Sequence, residues 1–194
     1  MTMPYDALSE VSDDALLVLF ANGDGDAARM LTLRHAPRLM RVAGRMLGDL
    51  AEAEDVAQET MLRLWRIAPE WRAGEAKVTT WLQRVAMNLC TDRLRRRRTV
   101  HIDAIPEPED GQASAMDGMI EADRSRALQM ALDQLPERQR QAVVLRHLEG
   151  LSNPEIAEVM DIGVEAVESL TARGKRALAA ALAGRRAELG YDDG

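Results

Sequence analysis

Five arginines occupy six consecutive positions between Arg93 and Arg98. One cation near the C-terminal end of a helix complements the helix dipole, but five cations exceed that need. Guanidinium groups at this density attract the phosphates of a nucleic-acid backbone. This arginine block predicts a nucleic-acid contact, although the formal net charge of the whole chain is -7 and repels phosphates.

A polar stripe extends the arginine block toward the N-terminus. Arg84, Asn88 and Arg95 are spaced by four and seven residues, so they share one helix face on the side away from Leu82 and Leu89. We expect this stripe to face DNA. Asn88 carries a donor and an acceptor and can read a base edge, or it can equally bond its own backbone.

An acidic helix face lies earlier in the chain. Asp55, Gln58 and Glu59 are three or four residues apart and share one face with Arg63. Taken alone, such a face is most often plain solvated surface. Its acceptors and its amide can also meet arginines of a partner helix.

The third group of informative residues is near the C-terminus. Ser152 and Glu155 form a capping box, which predicts the start of a short helix that ends at Met160. A turn at 161–163 contains Gly163, and a long helix is expected over 164–182. Two helices joined by such a turn form a helix-turn-helix, whose second helix lies in the major groove. The inward positions of that helix are expected to be Val167, Thr171, Gly174 and Leu178.

Patterns typical of catalytic and cofactor sites are missing from the sequence. It contains no Gly-rich phosphate loop, no nucleophile motif and no metal-spaced set of ligands. Cys90 is the one cysteine, and His35, His101 and His147 are scattered. We therefore expect no catalytic residue, no metal and no cofactor.

The elements that position these residues are expected to be helices. Helix-forming Ala, Leu, Met and Arg abound, while aromatic residues make up 3% of the chain, which predicts an all-α fold. Trp65 and Trp81 are expected in the core, since aromatics at helical spacing usually pack. The N-terminal helices are predicted at 13–20 with Ser12 as N-cap, at 26–47, at 51–67, and from Thr79 or Thr80 into the arginine block. Two further helices are predicted at 122–135 and 137–148.

The segment 99–123 reverses the sign of the charge. It holds seven acidic residues and no Lys or Arg, together with prolines and glycines. Such a stretch buries too little surface to offset its ordering entropy, which predicts a flexible acidic linker. The expected domains are therefore 1–98 and 124–194. No apolar run is long enough for a membrane helix and the first residues are acidic, so a cytoplasmic location is expected.

The N-terminal motifs resemble region 2 of bacterial sigma factors of the extracytoplasmic-function group. The resemblance rests on the sequence AEDVAQET at 53–60, on Leu64-Trp65, on Thr80-Trp-Leu82 and on the arginine block. It implies that the predicted helix at 51–67 docks on the clamp helices of the RNA polymerase β′ subunit. The residues expected to make this contact are Asp55, Gln58, Glu59 and Arg63. It also implies that the helix leading into the arginine block, together with the loop before that helix, captures the minus-ten promoter element. The residues expected at that element are Arg72, Lys77, Thr79, Arg84, Asn88, Arg95, Arg96, Arg97 and Arg98.

The C-terminal motifs resemble region 4 of the same family. They are LDQLPERQR at 132–140, Leu151-Ser152, Glu155-Ile-Ala157 and the serine of the long helix. The resemblance implies contact with the minus-thirty-five element through Glu165, Glu168, Ser169, Ala172, Arg173 and Arg176. Glu165 and Glu168 depart from the family pattern, because acids weaken phosphate attraction even though a carboxylate can accept from cytosine.

The resemblance implies a sigma factor that acts in a stress or environmental response. Its expected partners are core RNA polymerase, through the β′ clamp helices and the β flap, promoter DNA, and an anti-sigma factor. An autonomous helix-turn-helix regulator with an N-terminal sensing domain is the alternative, and it would need a concave pocket with convergent polar groups. A helical enzyme has little support.

Overall fold

The structure, a computed structural model, describes residues 5–100 and 116–183. Within these ranges the chain is helical apart from turns and short connections, as the composition predicts. None of the helices described there has the length and apolar character that a membrane span requires. The chain divides into two compact units, Met1–Cys90 with Glu158–Asp161, and Thr91–Ala157 with Ile162–Gly194.

The first unit is built from helices that begin at side-chain caps. Oxygens of Ser12, Asp24 and Asp49 each accept a backbone N–H in the first turn of the helix that follows. Pro37 lies inside a continuous second helix. The helices of this unit are α1 (Asp13–Ala21), α2 (Gly25–Leu47), α3 (Leu50–Ile67) and the part of α4 (Val78–Val100) up to Cys90, with 3-10 turns at Tyr5–Glu10 and Ala68–Glu70.

The core of the first unit lies where α1, α2 and α3 meet. Leu16, Leu31 and Leu64 contribute one fully buried side chain from each helix. α4 adds Leu82, which is 1% exposed, to the buried side chains. Burial of such leucines contributes about 1.5–3 kcal/mol each, so the apolar faces of the helices hold this unit together.

The start of α4 differs from the sequence prediction. The backbone N–H of Trp81 donates to the carbonyl oxygen of Lys77 at 3.0 Å, which closes the first turn around Val78. Thr79 and Thr80 therefore lie within the helix, and the prediction that either one caps it is wrong.

The second unit contains the end of α4 and the remaining helices, apart from Glu158–Asp161 at the end of α7. Its helices are α5 (Met116–Asp133), α6 (Glu137–Val143) with a π-helical turn at Val144–Leu148, α7 (Asn153–Met160) and α8 (Val164–Ala183). Helix covers both ends of the predicted linker, because α4 reaches Val100 and α5 begins at Met116. Methionine, isoleucine and alanine at 116–122 favour helix, and acids are favourable near a helix N-terminus. The middle of that segment, 101–115, lies outside the described residues.

The helix-turn-helix forms with the predicted cap. The Glu155 carboxylate accepts from the Ser152 backbone N–H at 2.9 Å, and the Ser152 hydroxyl accepts from the Glu155 N–H at 3.4 Å. In the turn, the left-handed backbone belongs to Asp161, whose φ is 53°, and not to Gly163. Aspartate tolerates this conformation better than most side chains, so the turn closes without a glycine at that position.

Gly174 is the point of closest approach between α6 and α8. A Cβ atom there would lie 2.6 Å from Cγ2 of Val143 and 3.1 Å from the carbonyl oxygen of Gln139. The absence of a side chain lets the two helices pack at this distance.

We expect Gly174→Ala to destabilise the second unit. Overpacking costs about 1–3 kcal/mol, reduced by the roughly 1 kcal/mol that alanine gains over glycine inside a helix. Urea unfolding of the full chain, followed by circular dichroism, measures the change. The control is Gly44→Ala in α2, where the nearest atom to the new Cβ is that of Ala53 at 3.9 Å. A Gly174→Ala protein as stable as the control would contradict the packing described.

Candidate nucleic-acid interface

The predicted polar stripe lies on the solvent side of α4. Arg84, Asn88 and Arg95 are exposed, whereas Leu82 and Ala86 on the other side are buried. The helical spacing therefore puts the three side chains where a nucleic acid can reach them.

The arginines of the block differ in their surroundings. Arg96 is exposed and Arg97 is only half-exposed. Arg95 donates to the Asp92 carboxylate at 2.9 Å, and Arg98 donates to the carboxylate of Glu137. Phosphates must compete with these carboxylates for Arg95 and Arg98, so the block offers less positive charge than its sequence suggests.

The segment between α3 and α4 forms a groove of about 290 Å³. The indole of Trp71 meets that of Trp81 edge to face, with ring centroids 6.2 Å apart and planes at 88°. Arg72 pairs with Glu75 at 3.4 Å at this exposed segment. Lys77 is exposed and Thr79 is half-buried.

The tryptophans only partly follow the prediction. Trp81 packs on Trp71, and Trp65 packs on Phe20 of α1 with ring centroids 4.7 Å apart. Both indoles are half-buried instead of fully buried in the core. The reason is their position at the edge of the helix packing, where each ring covers core on one side and meets solvent on the other.

Sequence reasoning missed a link between α1 and this groove. Nε1–H of Trp71 donates to Oδ1 of Asp14 at 2.8 Å, although the two residues are 57 positions apart. Two acidic residues at the start of a helix are what the helix dipole favours, so nothing in the local pattern singles out Asp14.

Asp13, which precedes Asp14 in the chain, links α1 to α2 through its carboxylate. Asp13 accepts from Arg34 at 2.9 Å and lies 2.8 Å from Nε2 of His35. The hydrogen bond to His35 is the main cause that lowers the pKa of Asp13, with Arg34 adding to it against the opposing effect of burial. Arg34 also donates to the carbonyl oxygens of Leu8 and Val11, which ties down the chain before α1.

The acidic face of α3 is solvent-accessible but not uniformly so. Asp55 and Gln58 are exposed, while Glu59 is half-buried and accepts from Nε of Arg63 at 2.8 Å. An apolar groove of about 370 Å³ lies beside this face, between α2 and α3. Its lining includes Met40, Met61, Leu62 and Trp65.

The long helix α8 presents its predicted contact residues together. Val167 and Gly174 are buried as predicted, whereas Thr171 and Leu178 are only partly buried. All six residues predicted to contact the minus-thirty-five element are exposed: Glu165, Glu168, Ser169, Ala172, Arg173 and Arg176.

Two side chains on this face have partners nearby. Nδ2 of Asn153 donates to the Glu168 carboxylate at 3.5 Å, and Nε of Arg173 donates to the Ser169 carbonyl oxygen at 3.2 Å. In residues 5–100 and 116–183, no three His, Cys, Asp or Glu side chains are grouped to hold a metal ion.

Comparison with known proteins settles the family. Sigma-70 region 2 matches residues 31–100, and Sigma-70 region 4 matches residues 125–178. The chain is also 35% identical, over 182 residues, to the ECF RNA polymerase sigma factor SigE of Mycolicibacterium smegmatis, covering 87% of this chain and 68% of that protein. The chain belongs to the extracytoplasmic-function sigma factors. As a member of this family it directs RNA polymerase to promoters and is not an enzyme.

Other relatives agree with this assignment. The RNA polymerase sigma-H factor of Pseudomonas aeruginosa is 31% identical over 186 residues, covering 90% of this chain and 96% of that protein. The solved structure of CnrH in complex with the cytosolic domain of CnrY is similar with a TM-score of 0.68 and 26% identity, over 89% of this chain and 97% of that one. Family membership decides against an autonomous regulator with a sensing domain.

Proposed function

We propose that the sigma factor reads promoter DNA with two surfaces, one in each half of the chain. The α4 stripe, the arginine block and the segment before α4 contact the minus-ten element. The exposed face of α8 contacts the minus-thirty-five element. The observation that carries the proposal is the exposure of Arg84, Asn88 and Arg95 on one side of a helix whose other side is buried.

The acidic face of α3 is the proposed docking surface for core polymerase. Asp55 and Gln58 are exposed acceptors next to an apolar groove, so a basic, partly apolar helix of the β′ clamp fits the chemistry of both. Leu62 and Met40 at this groove are 48% and 39% exposed, so together they give apolar surface that a partner helix can cover.

A second apolar groove supports a contact with the β flap. It encloses about 210 Å³ in the second unit and is lined by Leu128, Leu132, Val143 and Leu178, among others. An amphipathic helix of the polymerase can bury an apolar face there.

We also infer that an anti-sigma factor controls this protein in the cytoplasm. Structures similar to this chain hold CnrH with the cytosolic domain of CnrY, and, at 22% identity, the sigma factor RpoE with the anti-sigma factor NepR from Bartonella quintana. The apolar grooves of both units would be covered in such a complex, which would block polymerase binding.

Reconstitution with core polymerase tests the proposed function. Capture of core polymerase is measured first without DNA, and run-off transcription is then measured on genomic fragments. We expect capture without DNA and transcription from a small subset of fragments only. Failure to capture core polymerase would contradict the docking assignment, and transcription without fragment preference would contradict promoter reading.

Replacing Arg173 with alanine tests the proposed minus-thirty-five contact. Its hydrogen bond to Ser169 uses Nε, so the two Nη groups stay available for a bidentate contact with guanine. We expect affinity for the upstream element to fall by roughly 1–3 kcal/mol, with relaxed discrimination at one base pair. Arg173→Lys should restore only part of the lost affinity and discrimination, because an ammonium group lacks the planar, forked donors of a guanidinium group.

Binding of holoenzyme to promoter duplexes substituted at single positions provides the measurement. Arg126→Ala is the matched control, since it removes an exposed arginine of α5 that belongs neither to the proposed base contacts nor to the apolar groove. Full affinity and full sequence preference in Arg173→Lys would instead make Arg173 a phosphate anchor.

A further inference from the structure

We propose that Asp14 of α1 is a positioning residue for promoter reading, because its carboxylate fixes the indole of Trp71 at the groove before α4. This inference rests on the proposed minus-ten contact of that segment. Asp14 itself touches no DNA in this proposal. Its effect reaches DNA through Trp71 alone.

The hydrogen bond between Trp71 and Asp14 sets the orientation of the indole. Nε1–H of Trp71 donates to Oδ1 of Asp14 at 2.8 Å, a normal distance for a hydrogen bond from a nitrogen to a charged acceptor. An indole has one hydrogen-bond donor, so this bond fixes which edge of the ring faces α1. The other side of the ring is then free to meet Trp81 edge to face.

Packing alone does not hold the Trp71 indole in one orientation. Trp71 is half-buried, and residues 72–77 that follow it are all exposed. A side chain at the start of an exposed, irregular segment samples several rotamers unless a specific bond selects one. The bond to Asp14 supplies that selection.

Asp14 lies on a helix that is anchored in the first unit. Its neighbour Asp13 is bonded to Arg34 and His35 of α2. Leu16 and Leu17 of the same helix are fully buried. The buried Leu16 and Leu17 hold α1 in place, and Asp14 joins this helix to Trp71, the first residue of the groove segment.

The bond to Asp14 therefore preorganises the side of the groove that Trp71 forms. Trp71 and Trp81 line the groove of about 290 Å³ together with Arg72 and Glu75. Unstacked bases bind by stacking on aromatic rings and by polar contacts at their edges. When the Trp71 indole is held in one orientation, the groove fits one base better than another. A mobile indole would stack on any base. Loss of the bond should therefore reduce sequence preference more than total DNA binding.

The test uses holoenzyme assembled from the full chain and core polymerase. It is incubated with a pool of single-stranded DNA that carries a short randomised segment, and the bound DNA is sequenced. The readouts are the enrichment of the preferred sequence and the total DNA bound. Core capture and the unfolding temperature are measured on the same variants.

We expect Asp14→Ala and Trp71→Phe each to lower the enrichment by about tenfold, with core capture unchanged. Loss of a hydrogen bond to a charged group has an effect of this size. Asp14→Asn keeps an acceptor oxygen and should retain the enrichment within about twofold. The double variant should be no worse than either single one, because both remove the same bond.

Asp13→Ala is the matched control on the same turn of α1. It removes the bonds to α2 and should lower the unfolding temperature without changing the enrichment, because the buried Leu16 and Leu17 still hold α1 in place. If Asp13→Ala and Asp14→Ala lower the enrichment equally, Asp14 acts only through stability and the proposal is overturned. Unchanged enrichment in Asp14→Ala, or additive effects in the double variant, would also overturn it. A wild-type holoenzyme that enriches no sequence would overturn the minus-ten assignment itself, together with this inference.

Discussion

Reversing the charge at Asp55 and Glu59 together is expected to weaken capture of core polymerase by roughly 100-fold, which corresponds to about 3 kcal/mol. Asp55 is an exposed acceptor on α3, and a lysine there would face the basic groups proposed on the partner helix. Like charges brought together at an interface cost several kcal/mol. The comparison is made by titrating core polymerase with labelled wild-type and Asp55→Lys/Glu59→Lys proteins at fixed salt.

The stability of the variant must be separated from its binding. Glu59 accepts from Arg63 at 2.8 Å, so the substitution also removes an ion pair within α3. Such pairs contribute about 0.3–0.5 kcal/mol, far less than the expected loss of binding.

Asp123→Lys provides a matched control for this loss. It breaks a comparable exposed pair with Arg126, at 3.2 Å, outside the proposed docking face. We expect the control to capture core polymerase normally. Equal capture by the double variant would refute docking through this face.

Replacing Arg95, Arg96, Arg97 and Arg98 with alanine is expected to reduce open-complex formation while leaving core capture intact. Each phosphate contact contributes about 0.9 to the slope of log affinity against log salt on duplex DNA, and about 0.7 on single strands. Four lost contacts would lower the slope by up to roughly 3.6 on duplex DNA and by up to roughly 2.8 on single strands. Because Arg95 and Arg98 are already paired with Asp92 and Glu137, we expect a smaller change than this maximum.

The lysine version of the same block separates charge from geometry. Four lysines keep the positive charge and should keep most of the salt dependence, since counterion release depends on charge. Promoter affinity is measured for both variants over a range of salt concentrations. An alanine variant with the wild-type slope would mean that the block ends α4 and does not bind phosphates.

Much of the local structure could be predicted because it depends on residues close together in the chain. Ser12 caps α1 and Ser152 pairs with Glu155 at the start of α7, as the motifs predict. Helical spacing also predicts that Arg84 and Asn88 are exposed and that Val167 is buried. The order and spacing of the motifs were enough to indicate the sigma-factor family.

Helix ends were predicted less well, because several starting points satisfy the same local preferences. The first turn of α4 closes on the carbonyl oxygen of Lys77, although Thr79 and Thr80 are better capping residues by type. α5 extends back to Met116 through acidic residues that composition assigned to the linker. A backbone hydrogen bond set the start of α4, and acidic residues near the N-terminal end of the helix dipole favour the early start of α5.

The sequence by itself determined the helices, their amphipathic faces and the family, since each follows from side chains within a few positions of one another. Only the tertiary structure decided which distant groups meet. The bond from Trp71 to Asp14, the approach of α8 to Val143 at Gly174 and the pairing of Arg98 with Glu137 all join residues more than 30 positions apart. Such contacts depend on how whole helices pack, and packing is set by the fit of many side chains at once, which no local pattern encodes.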